Sequence, residues 1–81
     1  MAEDIKAEIT REDKHIRYLR FMSDFALRYV ATEAASLEEA HRVVENLKRT
    51  AVHLFPGKED TFDMVLRPRF ERVIRERWRL Q

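Results

Sequence analysis

The chain has no cysteine, a single glycine and only two prolines among its 81 residues. Without cysteine it can form no disulfide, and the thiolate ligands of the usual structural zinc sites are missing. With one glycine, Gly57, it cannot form the glycine-rich loops that cradle phosphate groups. Helix packing and oligomerisation are therefore the remaining sources of stability for so short a chain.

Long apolar runs and a large charge excess are missing as well. No stretch approaches the ~18 consecutive apolar residues of a membrane-spanning helix, and the N-terminal segment is acidic where a secretory signal would be basic. The formal net charge is +1, although residues 67–79 carry six arginines against two glutamates. We expect a cytoplasmic protein with no membrane contact and a locally basic C-terminal segment.

The residues that are abundant favour helices. Charged residues make up 38% of the chain, and glutamate, arginine, leucine and alanine are frequent. A chain of this length forms one domain. The sequence predicts an all-α bundle of three main helices, at about 11–34, 37–55 and 68–80, with a short helical turn near 61–66. We expect 1–10 to be a frayed or flexible N-terminal segment and 11–81 to form a single domain.

The second helix has the clearest boundary signals. Ser36 and Glu39 have the spacing of a capping box, in which a hydroxyl and a carboxylate bind the free amide groups of the first turn. Pro56 and Gly57 should end this helix, because proline restricts the residue before it and glycine accepts a left-handed turn.

The other boundaries rest on weaker signals. Thr10 resembles an N-cap, which places the start of the first helix near Arg11. Asp60 or Thr61 should cap the short third segment. Pro68 suits the first turn of a helix and not its interior, so it should separate that segment from the last helix.

Helical periodicity also indicates a core. Apolar residues repeat at spacings of three and four in each helix, which places them on shared faces. The core candidates are Leu19, Met22, Ala26, Val30, Val44, Leu47, Ala51, Leu54, Phe62, Phe70, Val73, Ile74 and Trp78.

The first helix carries a second apolar face, which we call the aromatic stripe: Tyr18, Phe21, Phe25 and Tyr29. Together with the core face it covers about 240° of the helix circumference, counting ~100° per residue. The stripe could pack beneath the third and fourth helical segments, form a subunit interface, or do both. We expect a homodimer, with Phe21 and Phe25 at its centre and the hydroxyls of Tyr18 and Tyr29 in water.

Chemistry-bearing patterns are sparse. Glu12 with His15, and Glu38 with His41, have the i, i+3 spacing of di-iron bundles, but on helical faces the two pairs do not converge. Ser23 lies on an apolar face, where its hydroxyl should bond back to the carbonyl four residues earlier. We therefore predict no enzyme activity, no catalytic residues, no metal and no cofactor.

Two functions remain from the sequence. The first is a non-enzymatic interaction module that binds itself or another protein through the aromatic stripe. The alternative is a small nucleic-acid-binding protein in which Arg72, Arg75 and Arg79 contact phosphates. Nearby glutamates and the almost neutral whole chain favour a solvated, ion-paired face over this second function.

Overall fold

A computed structural model describes residues 2–79 of the chain, with side chains from Asp13 to Arg79. The described residues form four helices and no strand. The helices are α1 (Ala2–Thr32), α2 (Leu37–Leu54), α3 (Glu59–Val65) and α4 (Arg67–Trp78). The all-α prediction is confirmed, but the predicted turn near 61–66 is a helix of its own.

Helix α1 begins at Ala2, so the predicted start near Arg11 is wrong. The segment before Arg11 contains no glycine or proline, and its alanine, glutamate and lysine residues favour a helix. The side chain of Thr10, the predicted cap, lies outside the described part of the chain. At 1.5 Å per residue, the 31 residues of α1 span about 46 Å, against about 27 Å for the 18 residues of α2. Helix α1 is therefore much longer than the helix that packs beside it.

Side chains at the start of α2 hold the connection from α1. Ser36 is the N-cap, and its hydroxyl accepts a hydrogen bond of 3.1 Å from the amide of Glu39, as predicted. The Glu39 carboxylate binds the amide of Ala35, at 2.8 Å, and not that of Ser36. The capping box is thus shifted by one residue on its carboxylate side.

The turn between α2 and α3 begins where it was predicted. The amide of Phe55 donates to the carbonyl of Ala51 at 2.8 Å, and Gly57 then adopts a left-handed conformation with φ of 84°. Helix α3 starts at Glu59, after an N-cap residue, Lys58, that offers no side-chain cap. The prediction that Asp60 or Thr61 caps this helix is therefore wrong.

Leu66 separates α3 from α4 without leaving helical backbone geometry. Pro68 lies in the first turn of α4, where its missing amide costs no intrahelical hydrogen bond. Helix α4 ends at Trp78, and its C-cap residue, Arg79, is left-handed with a φ of 52°. The predicted last residue, Leu80, lies outside the described residues.

The core lies between α1, α2 and α4, and α3 closes it from the side of α2 and α4. Its buried residues are Ala26, Val30, Ala34, Ala40, Val44, Leu47, Ala51, Phe62, Phe70 and Ile74. Leu19, Met22, Val73 and Trp78 are half-buried against this core, and Leu54 is partly exposed. Ala34 and Ala40 lie on the apolar faces that the periodicity predicted but were not among the core candidates; both are fully buried near the connection from α1 to α2.

Membrane insertion requires a long and strongly apolar helix. Within residues 2–79, no helix has both the length and the apolar character to span a bilayer.

Candidate interaction surface

Three members of the aromatic stripe are exposed on α1. The relative exposure is 67% for Phe21, 60% for Phe25 and 48% for Tyr18. Phe21 and Phe25 are four residues apart, so their rings lie one turn apart on the same side of the helix. Exposed phenylalanines in adjacent turns form a contiguous apolar surface, which is more informative than scattered apolar residues.

The packing of α1 explains this exposure. Helix α1 packs against α2 and α4, and its buried side chains Ser23, Ala26 and Val30 mark the face that these two helices cover. At 100° per residue, Phe21 and Phe25 lie on nearly the opposite side of the helix from that face. The alternative in which both rings pack beneath the third and fourth helices is therefore wrong.

Tyr29 differs from the other members of the stripe. Its side chain is half-buried, and its hydroxyl donates a hydrogen bond to the Glu39 carboxylate. This hydrogen bond raises the pKa of Tyr29 and lowers the pKa of Glu39, whose carboxylate also accepts from the amide of Ala35. The expectation that this hydroxyl stays in water is wrong, because Tyr29 helps to join α1 to α2.

A shallow groove of about 300 Å³ runs beside the stripe, between α1 and α2. Phe25 forms part of its wall, together with Met22 and Tyr29 from α1. Val43 and Leu47 line it from α2. The exposed rings and this groove form one continuous surface with an apolar ridge and an apolar depression.

The three arginines of the nucleic-acid alternative lie at the exposed side of α4 and its end. Arg72 forms an ion pair of 3.3 Å with Glu76, one turn further along the helix. Arg75 and Arg79 are exposed and form no ion pair with the side chains that the structure describes. The glutamate thus neutralises part of this basic surface.

Arg77, near the end of α4, contacts both the end of α1 and the neighbouring Trp78 ring. Its guanidinium donates to the carbonyl of Val30 at 2.7 Å and lies 4.5 Å from the centre of the Trp78 ring. The last turn of α1 has no basic residue of its own. Arg77 therefore brings positive charge from α4 to the negative end of the α1 dipole.

An ion-pair cluster joins α2, α3 and α4. Asp63 binds Lys48 at 2.9 Å and Arg67 at 2.8 Å, and Arg67 also binds Glu45 at 2.9 Å. The hydrogen bonds from Lys48 and Arg67 lower the pKa of Asp63. The hydrogen bond to Asp63 is the largest of the effects that raise the pKa of Arg67.

The candidate catalytic and metal-binding residues do not come together. Ser23 is buried with its hydroxyl unpaired, so the predicted bond back to the carbonyl four residues earlier is absent. Glu38 and His41 are both exposed, while the side chain of Glu12 lies outside the described part. Between residues 13 and 79, no group of three histidine, aspartate or glutamate side chains could hold a metal ion.

Comparison with known proteins adds no relative. No protein-family model matches the chain, and neither a curated protein nor a solved structure shows significant similarity to it.

Proposed function

We propose that this protein is a non-enzymatic helical interaction module that forms a homodimer through the aromatic stripe of α1. The observation that carries this proposal is the exposure of Phe21 and Phe25, at 67% and 60%, in adjacent turns of one helix. Full burial of a phenylalanine contributes about 1.5–3 kcal/mol relative to exposure. Two exposed rings per copy thus supply a driving force for association.

A second copy suits this surface because the surface can complement itself. In a two-fold dimer, residue i of one copy contacts residue j of the other, and the reverse contact also forms. An antiparallel pairing of the two α1 helices centred near residue 23 brings Phe21 of one copy beside Phe25 of the other. The groove between α1 and α2, at about 300 Å³, then offers space for part of the partner ring.

Charge around the stripe supports the same pairing. That antiparallel arrangement places Arg28 of one copy near Tyr18 of the other, where a guanidinium can lie over an aromatic ring. Both residues are exposed in the single chain. Exposed aromatic and arginine residues are enriched at protein interfaces relative to other surface residues.

The test is light scattering coupled to size-exclusion chromatography at low micromolar concentration. We expect twice the monomer mass for the wild type and the monomer mass for Phe21→Glu, with helicity unchanged by circular dichroism. Met64→Glu is the matched control, because Met64 is 77% exposed on α3, away from the stripe. That variant should remain dimeric.

Two results would overturn the dimer. One is a monomeric wild type whose solubility and stability do not change with Phe21→Glu. The other is a Phe21→Glu variant that keeps the dimer mass, which would place the interface elsewhere.

A salt titration distinguishes the interaction module from the nucleic-acid-binding alternative. Binding of labelled DNA or RNA that weakens by orders of magnitude between about 50 and about 200 mM salt would support phosphate contacts. Such binding should then be reduced by Arg75→Gln. Absence of binding at the lower salt concentration would remove this alternative.

A further inference from the structure

A larger groove lies on the other side of α1 from the aromatic stripe. Helices α1 and α3 both pack against α2 and α4, but across the described residues they do not pack against each other. The space between them is a groove of about 470 Å³, which we call the α1–α3 groove. This volume falls within the range of about 300–1,000 Å³ that is typical of small-molecule sites.

The walls of the α1–α3 groove are mostly apolar and partly open to solvent. Leu19 and Phe62 line its interior, while Ile16 and Val65, at 48% and 53% exposure, lie along its edges. An apolar chain placed between α1 and α3 would cover these side chains and remove apolar surface from water.

One polar group in the wall of the α1–α3 groove has no hydrogen-bond partner. Ser23 lines the groove, is 5% exposed, and has a buried hydroxyl without a hydrogen-bond partner. Leaving a buried hydroxyl unpaired is unfavourable, and nearly all buried polar groups in folded proteins have a partner. The oxygen itself is shielded from solvent, so rotation of the Ser23 side chain about its Cα–Cβ bond would bring the hydroxyl to a polar atom of a ligand in the groove and supply the missing hydrogen bond.

The charged side chains that line the groove indicate which charge a ligand would carry. Arg20, Lys58 and Arg69 line it, and Asp24 is the one carboxylate among its lining residues. None of the three cations forms an ion pair with any side chain between residues 13 and 79. Three positive charges against one negative charge favour an anionic group.

The length of the groove favours a small molecule over a partner helix. Its lining residues on α1 run from Ile16 to Asp24, which corresponds to about 12 Å along the helix axis. A docked helix of three turns would need about 16 Å of continuous apolar surface. A single flexible alkyl chain fits the groove length of about 12 Å.

We propose that the α1–α3 groove binds an amphiphilic carboxylate with one unbranched alkyl chain. The alkyl chain lies between Leu19 and Val65, and the carboxylate accepts hydrogen bonds from the Ser23 hydroxyl and from the cationic side chains. This site is independent of the proposed dimer, because the groove and the aromatic stripe lie on different sides of α1.

The experiment is an NMR titration of the full-length protein with sodium decanoate below the concentration at which it forms micelles. We expect saturable shifts of the backbone amides of Ser23, Thr61 and Arg69. Decanol, which lacks the charge, should bind more weakly, and decyltrimethylammonium, which has the opposite charge, should not bind in the groove.

Variants connect the binding to the groove. Replacing both Arg20 and Arg69 with glutamine should weaken decanoate binding about tenfold or more, because charge-assisted hydrogen bonds are lost. The matched control replaces Arg72 and Arg75 with glutamine; both lie on α4 outside the groove, so affinity should be unchanged. Ser23→Ala should also weaken binding without destabilising the free protein, because its hydroxyl has no partner to lose.

Further measurements can contradict the site. Absence of saturable shifts, equal affinity for decanoate and decyltrimethylammonium, or shifts centred on Phe21 and Phe25 would each overturn it. Repeating the titration with Phe21→Glu separates the two proposals. Unchanged decanoate affinity in a monomeric Phe21→Glu variant supports the groove as an independent site, and loss of binding there would overturn that independence.

Discussion

Leu47 is a single residue whose contribution to stability follows directly from its burial. It is 5% exposed in the core between the helices. Truncation to alanine removes three carbon atoms and leaves a cavity, so Leu47→Ala should lower the free energy of unfolding by about 2–5 kcal/mol. Urea unfolding followed by circular dichroism measures this change.

A matched truncation on the surface tests whether burial is the cause. Met64 is 77% exposed, and Met64→Ala should change the free energy of unfolding by less than about 0.5 kcal/mol. Equal losses for Met64→Ala and Leu47→Ala would contradict the core assignment.

The ion pairs of Asp63 predict how the stability of the folded protein changes at acid pH. Its hydrogen bonds with Lys48 and Arg67 lower its pKa in the folded protein. Folding therefore favours the ionised carboxylate, and this contribution is fully present above the unfolded pKa of about 3.9. It is lost as the pH falls through the folded pKa, so stability should decrease below about pH 4.

Replacing Asp63 tests the direction of this effect. Asp63→Asn should lower stability at pH 7 and reduce the decrease below about pH 4, as measured by thermal unfolding from pH 7 down to about pH 2. Glu71→Gln is the control, because Glu71 is exposed and forms no ion pair with the described side chains. An acid-induced decrease identical in Asp63→Asn and the wild type would assign the effect to other carboxylates.

At the scale of elements, the end of α1 depends on a residue of α4. The carbonyl of Val30 lies in the last turn of α1 and accepts from Arg77 at 2.7 Å. Carbonyls in that turn lack partners within their own helix. Arg77→Gln should therefore lower the free energy of unfolding by about 0.5–1.5 kcal/mol.

Arg75 provides the comparison within the same helix. It is exposed and has no ion pair or side-chain hydrogen bond among the described residues, so Arg75→Gln should change stability by less than about 0.5 kcal/mol. Guanidinium chloride would screen these charges, so urea unfolding is the suitable measurement. Equal effects of the two substitutions would mean that charge alone, and not the hydrogen bond to Val30, is responsible.

The helix boundaries that a side-chain cap or a proline–glycine pair marks were predicted from the sequence, and the boundaries without such a local signal were not. The start of α2 follows from the side chain of Ser36, and its end follows from Pro56 and Gly57, all within a few residues. The extension of α1 to Ala2 was missed because the apolar periodicity that reveals an amphipathic helix weakens before Arg11. Helix α3 was placed late because its N-cap, Lys58, has no side-chain cap for a sequence pattern to detect.

The candidate interaction surface was also predicted only in part. The positions of Phe21 and Phe25 on one side of α1 follow from helical spacing. Their exposure does not, because it depends on which faces α2 and α4 cover. The bond from Tyr29 to Glu39 and the groove containing Ser23 likewise arise only when separate helices meet.

At the scale of the whole molecule, the chain is elongated. Its extents are 53 × 22 × 15 Å and its radius of gyration is 15.0 Å, whereas a compact domain of this length has about 12 Å. The long helix α1 accounts for the largest extent. An elongated chain buries less of its surface than a sphere does, and this single chain leaves Phe21 and Phe25 exposed. A second copy would add buried apolar surface without lengthening the chain.

This shape leads to a prediction about thermal stability and concentration. If folding is coupled to dimerisation, the midpoint of thermal unfolding, Tm, rises with protein concentration by mass action. Above the dissociation constant, a tenfold increase stabilises each copy by about 0.7 kcal/mol, half of the value for a tenfold change in an equilibrium constant. For a domain of this size that corresponds to a rise in Tm of roughly 3–5 °C. Scanning calorimetry of the wild type over two decades of concentration should show this rise. In the Phe21→Glu variant the Tm should be lower and independent of concentration, and a wild-type Tm that does not change over the same range would exclude a dimer coupled to folding.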